Sequence, residues 1–168
     1  LTEGKPRVVS FQAVTGIAER ELFELAAALE ASSEHPLAQS ILSRARELGI
    51  TAPPAQNFRY FVGKGVAGNV GRRRVVLGNR AFMDEVFVSV DSKANEQAIA
   101  MRARGETVMF ASVDGELAAL IGIADPPKES ARDALDYLRA QGIRVIMLTG
   151  DHHATAEIVA GRLGIQDV

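Results

Sequence analysis

The spacing of hydrophobic residues predicts two consecutive helices near the start of the chain. Apolar side chains three and four residues apart predict a helix over 19–30 and a second one that begins at Pro36 and ends before Gly49. Proline suits the first position of a helix, and we expect Ser33 or His35 to cap that helix. The sequence therefore predicts a sharp break between two helices, filled by Ser-Ser-Glu-His.

Runs of β-branched and aromatic residues between glycine-rich turns predict antiparallel strands. The clearest hairpin flanks Asp114-Gly115, a dipeptide that suits a type I′ turn. The other predicted elements are a strand at 6–14, strands within 58–79 that turn near Gly71, and helices at 80–86 and about 91–104. The chain up to about residue 123 is therefore predicted to place helices on an antiparallel sheet.

The pattern changes after the Asp125-Pro126-Pro127 joint. The predicted elements here are helices over 129–140 and 154–163 and, between them, a strand over 143–148 that is buried on both faces. Helix, strand, loop and helix form half of a doubly wound unit. We therefore predict an α/β (α+β) fold with one domain over 6–123 and an incomplete second domain over 124–168 that also takes in 1–5.

Composition narrows the function classes. The chain has 168 residues, 47% hydrophobic and 24% charged, with a net charge of -2 and no cysteine. Disulfides and thiolate metal sites are excluded, and no basic surplus indicates a nucleic-acid partner. No apolar run approaches the roughly 20 residues of a membrane span. The polar start, Leu-Thr-Glu-Gly-Lys-Pro without a methionine, suggests a piece of a larger protein.

A glycine-rich stretch at 63–70, Gly-Lys-Gly-Val-Ala-Gly-Asn-Val, is the first candidate for ligand binding. A dinucleotide fingerprint requires a helix here, whereas the pattern continues as strand. A kinase loop requires downstream catalytic motifs that are missing. Glycines still let a backbone approach a ligand, and Lys64 and Arg72–Arg74 could add positive charge. The alternative is a glycine-rich hairpin without a ligand.

Glu30 and His35 form the second candidate, because the helix break can turn both side chains toward one cleft. A carboxylate accepts a hydrogen bond from an exocyclic amino group, and an imidazole can hydrogen-bond to or stack on a base. That pair suits adenine better than acid–base catalysis. A capping or packing role for the histidine is the alternative.

Met-Leu-Thr-Gly-Asp at 147–151 is the third candidate, since ligands bind at the carboxyl ends of strands in open α/β sheets. Thr149 could hold a phosphoryl oxygen beside the following helix. Asp151 could instead be only the cap of that helix. Lys128, in Asp-Pro-Pro-Lys, could reach a phosphate or could be a simple charge at a helix start.

Four motifs stand in order along this chain: LTEGKP, SEHPL, GKGV followed by LGN, and DPPK followed by MLTGD. Together they resemble the large cytoplasmic loop of heavy-metal-transporting P-type ATPases. The resemblance implies that the chain begins just after the phosphorylated Asp of a D-K-T-G-T motif and ends before a later G-D-G-x-N-D segment. It also implies a nucleotide-binding domain followed by part of a haloacid-dehalogenase-like phosphorylation domain.

The resemblance also implies the roles of individual residues. Glu30 and His35 would hold adenine, Gly63 and Gly65 would let the strand approach the nucleotide, and Gly78-Asn79 would complete the pocket wall. Thr149, Gly150, Asp151 and Lys128 would belong to the catalytic site, and no resident metal site is expected. His152 departs from the family pattern, which usually has a small polar residue there.

The implied function is ATP binding, with Mg²⁺ accompanying the nucleotide, in a pump that exports a metal ion. The γ-phosphoryl group would pass to an Asp outside this chain, so we expect this piece alone to bind ATP without transport or autophosphorylation. Its partners would be ATP and the phosphorylation, actuator and membrane domains of the pump, at the cytoplasmic face of a membrane. Copper is favoured. Zinc, cadmium or lead transport, a stand-alone adenine-nucleotide sensor and a capped phosphatase are the alternatives, the last opposed by the lack of a D-x-D motif.

Overall fold

A six-stranded, fully antiparallel sheet forms the centre of the molecule. The computed structural model describes residues 2–33, 35–51, 54–148 and 153–167. The strands are β1 (Arg7–Ala13), β2 (Gln56–Phe61), β3 (Gly65–Val70), β4 (Arg73–Gly78), β5 (Thr107–Val113) and β6 (Glu116–Ala124), in the order β1-β6-β5-β4-β3-β2. The predicted antiparallel sheet is confirmed, and its first strand lies at one edge beside its last.

Helices cover both faces of this sheet. The helices are α1 (Glu19–Glu30), α2 (Pro36–Glu47), α3 (Arg80–Glu85), α4 (Ser92–Arg102), α5 (Glu129–Ala140) and α6 (His153–Leu163). Successive strand residues point to opposite faces, so Val75 and Leu77 pack under α1 and α2 while Val76 packs under α3 and α4. Two separate apolar cores result, and α1 contributes its whole apolar stripe to the first of them.

The turn residues predicted from the sequence adopt the conformations that their chemistry favours. Asp114 and Gly115 both have positive φ, 54° and 88°, as a type I′ turn requires. Gly49, with φ 65°, follows the end of α2. These local signals explain why the helix bounds and both hairpins follow the sequence prediction closely.

The segment that precedes β1 is hydrogen-bonded to the segment that follows β6. Thr2 and Pro127 form an isolated antiparallel bridge. The Asp125 carboxylate accepts hydrogen bonds from the backbone N–H groups of Gly4 and Lys5, and each donor–acceptor distance is 3.0 Å. The proline-rich joint is therefore tied to a second stretch of backbone.

The predicted strand over 143–148 is not formed, which corrects the sequence prediction. Its backbone makes one isolated bridge, between Ile146 and Asp167, and Ile146 and Leu148 are 54% and 94% exposed. A strand needs neighbours on both sides to bury a continuous apolar run, and the described residues supply one bridge only. Met147 still packs with α5 and α6 in a small third core.

The division into two domains stays a prediction. No helix among the described residues combines the length and the apolar character needed to cross a membrane.

Candidate functional site

A pocket lies where the α1–α2 break faces the start of β3 and the end of β4. It encloses about 630 Å³, part of it open to solvent. Its lining includes all six residues that the sequence motifs assign to nucleotide binding, namely Glu30, His35, Gly63, Gly65, Gly78 and Asn79. Residues almost 50 positions apart in the sequence meet in this pocket.

Glu30 supplies a buried carboxylate to this pocket. The residue ends α1 and is 3% exposed, and its Oε2 atom is buried without a hydrogen-bond partner among the described residues. Burial raises the pKa of Glu30, and a hydrogen bond from the Ser33 side chain offsets part of that rise. A buried acceptor without a donor is costly, so a ligand N–H group at this position would relieve the cost.

His35 is exposed at the pocket edge and also caps α2. Its Nδ1 accepts a hydrogen bond from the backbone N–H of Leu37 over 3.1 Å. The proton of the neutral imidazole is therefore on Nε2, which is left as a donor. Capping and ligand binding are alternatives at the level of sequence, whereas this geometry allows one side chain to do both.

The glycines of the pocket wall are required first by the protein's own packing. A Cβ on Gly65 would lie 2.1 Å from the backbone oxygen of Leu77, and one on Gly78 would lie 2.5 Å from that of Lys64. Gly63 has φ +68° and open space where a Cβ would stand. Close approach of β3 to β4 accounts for two of these glycines, and the turn conformation accounts for the third.

Asn79 holds the wall in shape. Its Nδ2 donates to the backbone oxygen of Gly63 over 2.8 Å, and its Oδ1 accepts from the N–H of Phe82 over 2.9 Å at the start of α3. Lys64, at the tip of the same turn, forms an ion pair with Glu85. The amide side chain thus connects the glycine turn to a helix cap.

Four further residues that the sequence motifs do not single out line the pocket, namely Tyr60, Thr107, Val108 and Met109. Tyr60 of β2 is half exposed at the edge, and Thr107 and Met109 of β5 lie on the sheet face under α1 and α2. The alternation of β5 indicates that Thr107 and Met109 share a face, but not which face or which neighbours. An aromatic residue shortly before a glycine pair was the available signal for Tyr60.

The remaining candidates that the structure describes do not line this pocket. Arg72–Arg74 lie at the opposite end of the β3–β4 hairpin, where Arg73 pairs with Asp114 and Glu21. The interpretation that these arginines add charge at the glycines is therefore wrong. Lys128 is exposed at the start of α5 and does not line the pocket. Thr149, Gly150 and Asp151 lie outside the described residues.

The sequence matches the family model of haloacid dehalogenase-like hydrolases over residues 1–168. A silver-exporting P-type ATPase of Salmonella typhimurium is 43% identical over 170 residues, covering 100% of this chain and 20% of the relative. A copper-transporting P-type ATPase of Rhizobium leguminosarum bv. viciae is 41% identical, with 100% and 20% covered. The chain thus spans about a fifth of the length of these curated relatives.

Solved structures show the same fold. A zinc-transporting PIB-type ATPase in an E2·Pi state has a TM-score of 0.87 at 32% identity, covering 100% of this chain and 27% of that one. The N-domain of a copper-transporting P-type ATPase has a TM-score of 0.60 at 26% identity, covering 71% of this chain and 99% of that one. The predicted fold class, the resemblance to heavy-metal P-type ATPases and the assignment to an enzyme family are confirmed. The chain belongs to the haloacid dehalogenase-like hydrolase family, and its similarity to heavy-metal-transporting P-type ATPases extends over its whole length.

Proposed function

We propose that this chain binds ATP in the pocket between the α1–α2 break and the β3–β4 hairpin, as the nucleotide-binding part of a heavy-metal P-type ATPase. The observation that carries the proposal is the buried, unpartnered Oε2 of Glu30 in a pocket walled by the glycine turn. The sequence motif around Glu30 favours adenine independently of these contacts. The similarity to silver and copper exporters supports the same function.

Each polar group of the pocket suits one part of an adenosine. Oε2 of Glu30 would accept from the exocyclic amino group of adenine, and Nε2 of His35 would donate to the ligand from the pocket edge. Tyr60, at the edge, offers an aromatic face for stacking. Val66, Leu77 and Met109 provide an apolar floor. The arrangement favours a base with an amino group over one with a carbonyl at that position.

In the proposed reaction the pocket holds the adenosine end while the γ-phosphoryl group extends toward the second domain. That group would pass to a carboxylate oxygen of an Asp outside this chain, and ADP would leave. Catalysis of this kind depends on positioning and on charge stabilisation. Residues 6–123 would form the nucleotide-binding domain, and an N-domain solved alone corresponds to 71% of the chain. Thr149, Gly150, Asp151 and Lys128 are proposed for the phosphorylation domain.

Mg²⁺ would enter with the nucleotide. No group of three or more potential metal-ligating side chains occurs among the described residues, so these do not form a site for the ion by themselves. In enzymes of this kind, Mg²⁺ usually keeps several waters and is bound by the nucleotide phosphates together with one or two carboxylates.

Copper or silver is the proposed cargo of the whole protein. Identity to the silver and copper exporters is 43% and 41%, against 32% to the zinc-transporting structure. We propose that this chain works at the cytoplasmic face of a membrane, together with the actuator, phosphorylation and membrane domains. The similarity to ATPases over the full chain favours this role over an isolated nucleotide sensor.

Amide chemical shifts during titration with ATP, AMP and GTP test the nucleotide site. We expect ATP and AMP to shift the amides of Glu30, His35 and Gly65, and GTP to do so more weakly. Gly71 and Arg73, at the far end of the hairpin, serve as internal controls that should not move. Equal responses to GTP, or shifts centred on Arg73, would contradict the proposed site.

A further inference from the structure

Ser33 lies in the break between α1 and α2, between Glu30 and His35 in the sequence. Its backbone N–H donates to the carbonyl oxygen of Glu30 over 2.9 Å, which closes a turn at the end of α1. Its side chain is half buried. Sequence alone marks Ser33 only as a possible cap of α2, and that place is taken by His35.

The Ser33 side chain acts on both neighbours. Its hydroxyl oxygen accepts a hydrogen bond of 3.2 Å from the backbone N–H of His35. The same side chain lowers the pKa of Glu30 and so offsets part of the effect of burial on that group.

We propose that Ser33 is a positioning residue for nucleotide binding: its backbone N–H is tied to the end of α1 at Glu30, and its hydroxyl holds the His35 backbone at the start of α2. This inference depends on the function proposed above, because it concerns the same pocket. Ser33 does not line the pocket itself, so it acts through Glu30 and His35.

The loss of the hydroxyl has consequences for both neighbours. Without the hydroxyl, the effect of burial on Glu30 is no longer offset, so the pKa of Glu30 rises further and its neutral form gains. A protonated carboxyl has less acceptor capacity for an amino group. The His35 N–H loses its acceptor, which loosens the start of α2 and the orientation of the imidazole.

The test compares Ser33→Ala, Ser33→Thr and the matched control Ser32→Ala, which changes the exposed neighbouring serine. Affinity for ATP and for adenosine is measured by calorimetry, and the Glu30 carboxyl is titrated by carbon NMR without nucleotide. We expect Ser33→Ala to weaken both ligands about five- to tenfold and to raise the Glu30 pKa. Threonine keeps the hydroxyl and should restore both values to within about twofold, while Ser32→Ala should change neither.

Two results would overturn the inference in different ways. If the unchanged protein binds ATP and Ser33→Ala binds it equally well, Ser33 is a structural turn residue and the proposed function stands. A lower melting temperature alone, without a change in Glu30 titration or affinity, leads to that same conclusion. If the unchanged protein does not bind adenine nucleotides, the proposed function fails and the positioning role fails with it.

Discussion

His35 combines a helix cap with a proposed ligand contact, and two substitutions separate these roles. Asparagine is among the best capping residues, so His35→Asn keeps a short acceptor for the N–H of Leu37 while removing the imidazole. Glutamine carries the same amide one methylene further from the backbone and is a poor cap. His35→Gln therefore removes the cap and the imidazole together. The pair differs by one methylene group.

The expected magnitudes follow from the two contacts. Losing an N-cap costs about 1 kcal/mol, which for a chain of this size lowers the melting temperature by roughly 2–4 °C. Losing one hydrogen bond to the nucleotide weakens binding about tenfold, or about 1.4 kcal/mol. His35→Gln should show both losses, whereas His35→Asn should show only the loss of affinity.

Thermal unfolding without nucleotide and calorimetric titration with ATP provide the measurements. Nucleotide must be absent from the unfolding experiment, because a bound ligand itself raises the melting temperature. We expect a dissociation constant of about 1 mM for the unchanged protein, or about −4 kcal/mol, because the open pocket contacts only the adenosine end. If His35→Asn bound ATP as well as the unchanged protein, the imidazole would have no part in binding. Equal destabilisation by both substitutions would refute the capping argument.

Three further substitutions test other features of the fold. Because burial raises the pKa of Glu30, the folded protein loses stability as the pH rises through that raised value. Glu30→Gln should therefore raise the melting temperature at pH 8 more than at pH 4. Equal gains at both pH values would contradict this expectation. Gly78→Ala places a Cβ 2.5 Å from a backbone oxygen and should cost about 1–3 kcal/mol in urea unfolding, whereas Gly16→Ala, with open space at the Cβ, should change stability by less than about 0.5 kcal/mol. Asp125→Ala removes the acceptor of two backbone N–H groups and should cost about 1 kcal/mol and accelerate hydrogen exchange of both amides; unchanged exchange would show that the two segments are not held by this carboxylate.

Local signals made much of the fold predictable from the sequence. The Asp114-Gly115 turn and the end of α2 at Gly49 are decided by residues that act within a few positions of themselves. The strand predicted over 143–148 failed for the opposite reason. Its apolar run favours burial on both faces, but a strand is stabilised by neighbours, which no local pattern supplies.

In the candidate site, too, local sequence signals were predictable and contacts between distant segments were not. Glu30 and His35 were predictable because both stand at one helix break, and the glycines because they punctuate a strand pattern. Thr107 and Met109 reach the pocket only through the pairing of β4 with β5, in which Gly78 lies opposite Phe110. The arginines at 72–74 were misplaced because closeness in sequence to the glycines does not show how far apart the two ends of a hairpin lie. The β3–β4 hairpin is six residue pairs long, so its turn and its open end are about 17 Å apart.

The position of β1 beside β6 has a consequence for biosynthesis. Val8 pairs with Ile123, so the first strand has no partner until the last strand of the sheet has been made. At about 5–20 residues per second, translation leaves β1 unpaired for on the order of 10 s after it emerges. We expect nascent chains arrested before residue 116 to remain open to protease at β1, and chains arrested well beyond residue 124 to be protected there. Protection at the earlier arrest point would show that β1 is sheltered by something other than its native neighbour.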